Sequence, residues 1–155
     1  MLIAIDFDGT VVSMAGRSYS DVTSPLQFVP GARAGLASLR KAGHVLLLYS
    51  ARANRALLED PALDPMVRSG ARKVHTKTWD TDRDLNRARY QQMIDFVERE
   101  LPGVFAAIDD GRQGKPCADL FIDDRGMRYG NGPTALSWQG IGRIYGEPVY
   151  GSVEG

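Results

Sequence analysis

Two acids stand two positions apart in Asp6-Phe7-Asp8-Gly9-Thr10, directly after the apolar run Leu2-Ile3-Ala4-Ile5. A second pair closes another such run, where Leu120-Phe121-Ile122 meets Asp123-Asp124-Arg125. The first two acids converge on one point if the backbone turns at Gly9. Like charges gathered at one site are costly without a cation between them. Paired carboxylates in a chain with only two His and one Cys argue against a Cys/His zinc site and suit a hard, oxygen-preferring ion such as Mg²⁺. With such an ion present, an anionic phosphate becomes the natural ligand. An Asp can attack phosphorus to form an aspartyl-phosphate. A second acid two residues on can protonate the leaving oxygen and then activate water. Ser50 and Lys115 offer a hydroxyl and an ammonium for the non-bridging oxygens.

These residues need elements that bring them together. Two further apolar runs, Val45-Leu46-Leu47-Leu48-Tyr49 before Ser50 and Val104-Phe105-Ala106-Ala107-Ile108 before Asp109, join the two already named. Short continuous apolar runs bounded by turn residues suit strands covered on both faces. A weaker fifth candidate spans 71–76. Helical stretches lie between them. Pro30-Gly31 opens one over 32–41, with Ala34, Leu36, Ala37 and Leu39 inward and Gly43 as its stop. A short helix over 53–59 ends near Pro61 and Pro65. The longest runs from about 82 to 101, with Tyr90, Met93, Ile94, Val97 and Leu101 on one face and Asp80, Thr81 and Asp82 as N-cap candidates. A last helix is expected over 134–144. Alternating strands and helices imply an α/β fold, a three-layer α/β/α sandwich around a central, mostly parallel sheet with right-handed crossovers. Ligands of such sheets bind outside the carboxyl ends of the strands, where the acids and Ser50 stand. Residues 13–29 form the one long stretch without periodicity, a length that is usually functional or mobile.

At these residues the chain resembles the haloacid dehalogenase (HAD) superfamily of phosphohydrolases. Asp6-Phe7-Asp8-Gly9-Thr10 matches the first motif of that family and Leu46-Leu47-Leu48-Tyr49-Ser50 the second. Lys115 can serve as the third, and Phe121-Ile122-Asp123-Asp124 matches the fourth. The resemblance covers about 1–125 and implies a Mg²⁺-dependent phosphatase. Asp6 would be nucleophile and metal ligand, and Asp8 general acid/base with its carbonyl on the metal. Thr10, Ser50, Ala51, Arg52 and Lys115 would surround the substrate phosphate. Asp123 and Asp124 would complete the metal site, Asp124 directly and Asp123 through water. Lys115 stands eight positions before Asp123 (123 − 115), closer than in many relatives, and Lys73 and Lys77 are the other lysines open to that role. The short spacing and the Asp-Asp-Arg ending are more like capless members, including polynucleotide kinase 3′-phosphatase domains. Neither gap in which the family inserts a cap leaves room for one, so a single domain over 1–155 with an open site is expected.

Other patterns are better read as structure. Asp109-Asp110 also follows an apolar run, but no suitable lysine precedes it, and strand-end acids near the site are the simpler reading. Asp80-Thr81-Asp82-Arg83-Asp84 fails as a calcium loop because Leu85 and Gln91 replace the needed Gly and Glu. Gly130-Asn131-Gly132 has no βαβ unit behind it, and Gly114-Lys115-Pro116 lacks the P-loop residues. The basic stretch Arg68, Arg72, Lys73, His75, Lys77 reads as a solvated face. His44 and His75 have no partners at ligand spacing.

The chain has 155 residues, with 19 basic and 19 acidic side chains. Zero net charge argues against a globally basic nucleic-acid binder, so a nucleic-acid partner is disfavoured. A phosphorylated small molecule or macromolecule is the expected substrate, and a homo-oligomer remains open. One Cys gives no internal disulfide. The first apolar run is too short for a signal peptide, and no run nears the ~20 residues of a membrane span. A cytoplasmic protein is therefore expected. The alternatives to a small-molecule phosphatase are a polynucleotide 3′-phosphatase and, in another class, a receiver-like switch phosphorylated on Asp.

Overall fold

The computed structural model describes residues 1–59, 83–112, 115–123 and 137–146. Four strands, β1 (Leu2–Asp6), β2 (Val45–Tyr49), β3 (Ala107–Ile108) and β4 (Leu120–Ile122), form one sheet in the order β3-β2-β1-β4. Every pairing is parallel, which makes this an α/β fold, since parallel neighbours need long crossovers. Ile3, Ala4 and Ile5 have no solvent exposure at all. Consecutive residues of a strand point to opposite faces, so β1 is covered on both sides. The expected fifth strand over 71–76 lies outside the described residues, as does the basic stretch 68–77.

Strand β3 is shorter than its apolar run suggests. Val104 closes the turn after the preceding helix by donating to the Leu101 carbonyl, and Phe105 packs against the core instead of entering the ladder. What remains pairs only as Leu47↔Ala107 and Leu48↔Ile108.

Helix α1 (Ala32–Lys41) connects β1 to β2. It starts after Gly31 and stops before Gly43, both at φ 81, a left-handed conformation that favours glycine. Its buried residues are Ala32, Gly35, Leu36, Ser38 and Leu39; Ala34 and Ala37, expected inward, are half-buried. Tertiary packing shifts the face, because helix α4 (Trp138–Tyr145) lies against α1. A Cβ on Gly35 would meet Trp138 Cε3 at 2.5 Å. The stretch after β2, expected as one short helix, divides into a 3₁₀ turn (Ala51–Ala53) and α2 (Arg55–Leu58). Helix α3 (Arg83–Glu100) buries Asn86, Met93, Phe96 and Val97. Its Phe96 meets Phe7 edge-on at 5.8 Å and Phe28 at 5.0 Å. The proposed caps at 80–82 lie outside the described residues. Helix α4 begins later than expected, at an N-cap, Ser137, whose side chain accepts from the Gly140 amide.

The aperiodic stretch 13–29 is an ordered loop with a closed neck. Ser13 donates to the Gln27 carbonyl and Val29 to the Val11 carbonyl. Inside it, the Arg17 guanidinium donates to the carbonyls of Pro25, Asp21 and Ser24. Side-chain donors hold the backbone here, which is why no hydrophobic period marks it. Among the described residues no helix is long and apolar enough to cross a membrane.

Candidate active site

The carboxyl ends of β1, β2 and β4 lie side by side. Register pairs Asp6 with Tyr49 and Ile5 with Ile122, so Asp123 follows directly beside Asp6. Ala4 pairs with Phe121, and the period of two then places Asp6, Tyr49 and Asp123 on one face of the sheet. The Tyr49 ring meets Phe121 edge-on at 5.6 Å, and its hydroxyl donates to Asp123 Oδ2 at 2.9 Å. Lys115 lies over the same Phe121 ring, with Nζ 4.0 Å from the centroid. The link between β3 and β4 thus brings an exposed ammonium to the face that bears both acids.

After β1 the chain turns sharply. The Phe7 carbonyl accepts from the amides of Val11 (2.9 Å) and Val12 (3.0 Å), and the Gly9 amide donates to the Val12 carbonyl. Gly9 sits at φ 80, where a side chain would be strained. This turn sends Asp8 toward Arg52. The Arg52 guanidinium donates through Nε to Asp8 Oδ2 (2.8 Å) and through Nη2 to Asp8 Oδ1 (2.7 Å), a two-pronged match of fork to carboxylate. Its Nη1 donates to the Arg89 carbonyl (2.8 Å) and to Gln92 Oε1 (3.1 Å), both on α3. Beneath it lies the Phe7 ring, 5.2 Å from Cζ. Arg52 is only 4% exposed. It is the bolt between the turn after β1, the turn after β2 and helix α3.

The remaining expected phosphate ligands are placed differently from one another. Ser50 is buried; its Oγ accepts from the Arg52 amide at 3.1 Å, which leaves the hydroxyl proton to donate. Ala51 is exposed beside it. Thr10 has no exposure: its carbonyl accepts from the Trp138 indole at 2.9 Å, and its hydroxyl has no partner among the described residues. Asp124, the expected direct metal ligand, lies outside the described residues.

Asp109 and Asp110 belong to a separate structure. Asp109 Oδ1 accepts from the Gly111 amide and Asp110 Oδ1 from the Arg112 amide. Arg55 donates to the Asp110 carbonyl at 2.6 Å. They shape the turn after β3, with β2 between them and Asp6.

The donors at the ends of β1 and β4 are carboxylate oxygens, the ligands that Mg²⁺ prefers, so the residues present fit such an ion. Among the described residues no three His, Cys, Asp or Glu side chains form a metal-ligand group. Three participants were not singled out from sequence. Tyr49 was visible as the one polar tip in its apolar strand. Gln92 and Arg89 left no local signal, because helix packing alone sets their meeting with residue 52.

Comparison of the chain with protein-family models, curated proteins and solved structures finds no match.

Proposed function

We propose that the chain is a Mg²⁺-dependent phosphomonoesterase that works through an aspartyl-phosphate on Asp6. The observation that supports this most is the register of adjacent parallel strands, which sets Asp6 beside Asp123 at the carboxyl edge of the sheet. Asp6 attacks phosphorus as the leaving oxygen departs with a proton from Asp8; water then attacks the aspartyl-phosphate with Asp8 as base. As it stands, both oxygens of Asp8 accept from Arg52, a pose suited to the base half of the cycle. For the acid half, one prong of that fork must give way. Arg52 is therefore assigned to positioning Asp8, while the Ser50 hydroxyl, the Ala51 amide and Lys115 take the non-bridging oxygens. Asp6, Asp123 and Asp124 would hold Mg²⁺ with the Asp8 carbonyl. Bound there, the ion offsets the repulsion between the acids and an incoming phosphoryl group.

The same reading extends the observed sheet to a three-layer α/β/α sandwich, supported by the burial of β1 on both faces. It also treats 1–155 as one domain with an open site. Purified protein should hydrolyse an aryl phosphate in Mg²⁺, lose this with a chelator, and lose at least about a thousandfold in kcat as Asp6→Asn. Undiminished turnover by that variant would remove Asp6 from the role of nucleophile. A stable phosphoprotein without turnover would mark a switch instead of an enzyme.

A further inference from the structure

Helix α3 has four arginines, and three of them find a carbonyl or carboxylate partner. Arg83 donates to the Glu59 carbonyl, Arg87 to the Leu58 carbonyl at 3.0 Å, and Arg99 to Glu100 at 2.8 Å. The guanidinium of Arg89 has neither kind of partner among the described residues. It lies instead against the ring of Tyr19, with Cζ 4.9 Å from the centroid. Tyr19 belongs to the 13–29 loop and is 59% exposed. The backbone of Arg89 is meanwhile locked to the site, since its carbonyl accepts from Arg52, the residue that grips Asp8.

A half-buried guanidinium with no carboxylate in direct contact among the described residues carries a desolvation cost that is only partly offset. Burial first, and then the nearby Arg52 charge, push the Arg89 pKa below its ordinary value, while Asp8 acts the other way. The group keeps its charge at any working pH. An arriving oxyanion would offset both the desolvation and the repulsion from Arg52. A guanidinium drawn to an aromatic ring by cation–π attraction is also partly ordered before such a ligand arrives.

We infer that Arg89, braced by Tyr19, seats a second phosphate-type anion of the substrate, next to the phosphoryl group handled at Asp6. The inference rests on the phosphatase reading and narrows it to phosphomonoesters that carry another phosphate. That second anion comes either from a small bisphosphate or from the phosphodiester of a nucleotide chain.

Calorimetric titration of the full chain in Mg²⁺ reads this without turnover. The ligands are alkylphosphonates, α,ω-alkane bisphosphonates of increasing length, and a dinucleotide ending in a non-hydrolysable 3′-methylenephosphonate beside the corresponding mononucleotide. A two-anion ligand should bind about tenfold more tightly than its one-anion counterpart, the scale of one charge-assisted contact at a part-exposed site. The advantage should vanish in Arg89→Met and largely persist in Arg89→Lys. A gain confined to the bisphosphonates assigns a small-molecule source, and a gain confined to the dinucleotide assigns a diester. No gain with either ligand class, or a gain that survives in Arg89→Met, overturns the inference. Failure of the phosphatase reading is seen separately, in the aryl phosphate assay of Asp6→Asn.

Discussion

At the scale of single residues, Arg52 is the side chain whose role depends most on what surrounds it. Its triplet Ser50-Ala51-Arg52 suggests a phosphate ligand, yet its donors are directed to Asp8, the Arg89 carbonyl and Gln92. The Arg52 and Asp8 side chains are 3% and 14% exposed. Removing one partner of a buried pair costs more than the pair contributes, because the other is left stranded. Arg52→Met should therefore lower stability by roughly 2–4 kcal/mol, read from the urea midpoint. A loss below about 1 kcal/mol would show that the fork is not a structural bolt. Tyr49 acts more narrowly. Its hydroxyl orients Asp123 without closing any turn, so Tyr49→Phe should change stability by only about 1 kcal/mol. It should instead weaken activation by Mg²⁺ several-fold, like the loss of a group that orients a metal ligand. Titration of activity against Mg²⁺ checks this, and an unchanged curve would detach Tyr49 from the proposed metal site.

Among the elements, the 13–29 loop shows how a stretch without hydrophobic period can still be ordered. Its turn is organised by Asp21. The Ser24 amide and hydroxyl, then the Thr23 amide, with Arg17 beyond them, hold the Asp21 carboxyl down to about 2 from its ordinary 3.8. A carboxyl depressed on folding contributes stability that is present above its ordinary value and is lost as the pH falls through the folded one. The turn should thus stay formed at pH 4 and loosen toward pH 2. Amide exchange at Thr23 and Ser24 should lose protection over that window, beyond the ordinary pH dependence of exchange. Asp21→Asn should lack the extra loss, and protection that holds at pH 2 would sink the assignment. The apolar strands and α1 were legible because each is local: a run or a period suffices to define it. The division of 51–58 into a 3₁₀ turn and α2 was not, since it follows from where Arg52 must reach.

On the scale of the whole molecule, late parts of the chain close over early ones. Asp119 accepts from the Leu2 amide at 2.7 Å, His44 donates to the Tyr145 carbonyl at 2.7 Å, and Trp138 packs on Gly35 while donating to the Thr10 carbonyl. Trp138 is thus a support for the turn that follows the proposed nucleophile. Trp138→Ala should cost about 3–5 kcal/mol through the lost ring and the space it leaves, whereas Trp138→Phe should retain most of that packing. Thermal unfolding of the two variants separates these effects, and equal losses would mean that the indole hydrogen bond outweighs the packing.

The amino-acid sequence by itself determined the α/β alternation, the four apolar strands and the acids that end two of them. Those features depend on residue type and short-range period, which act within a few residues. Only the tertiary structure decided that Asp123 stands beside Asp6, that Asp8 is gripped from 44 positions away by Arg52, and that Arg89 keeps a cation without a carboxylate partner among the described residues. Those relations arise from strand register and helix packing, where many weak contacts between distant segments choose one arrangement that no local pattern encodes.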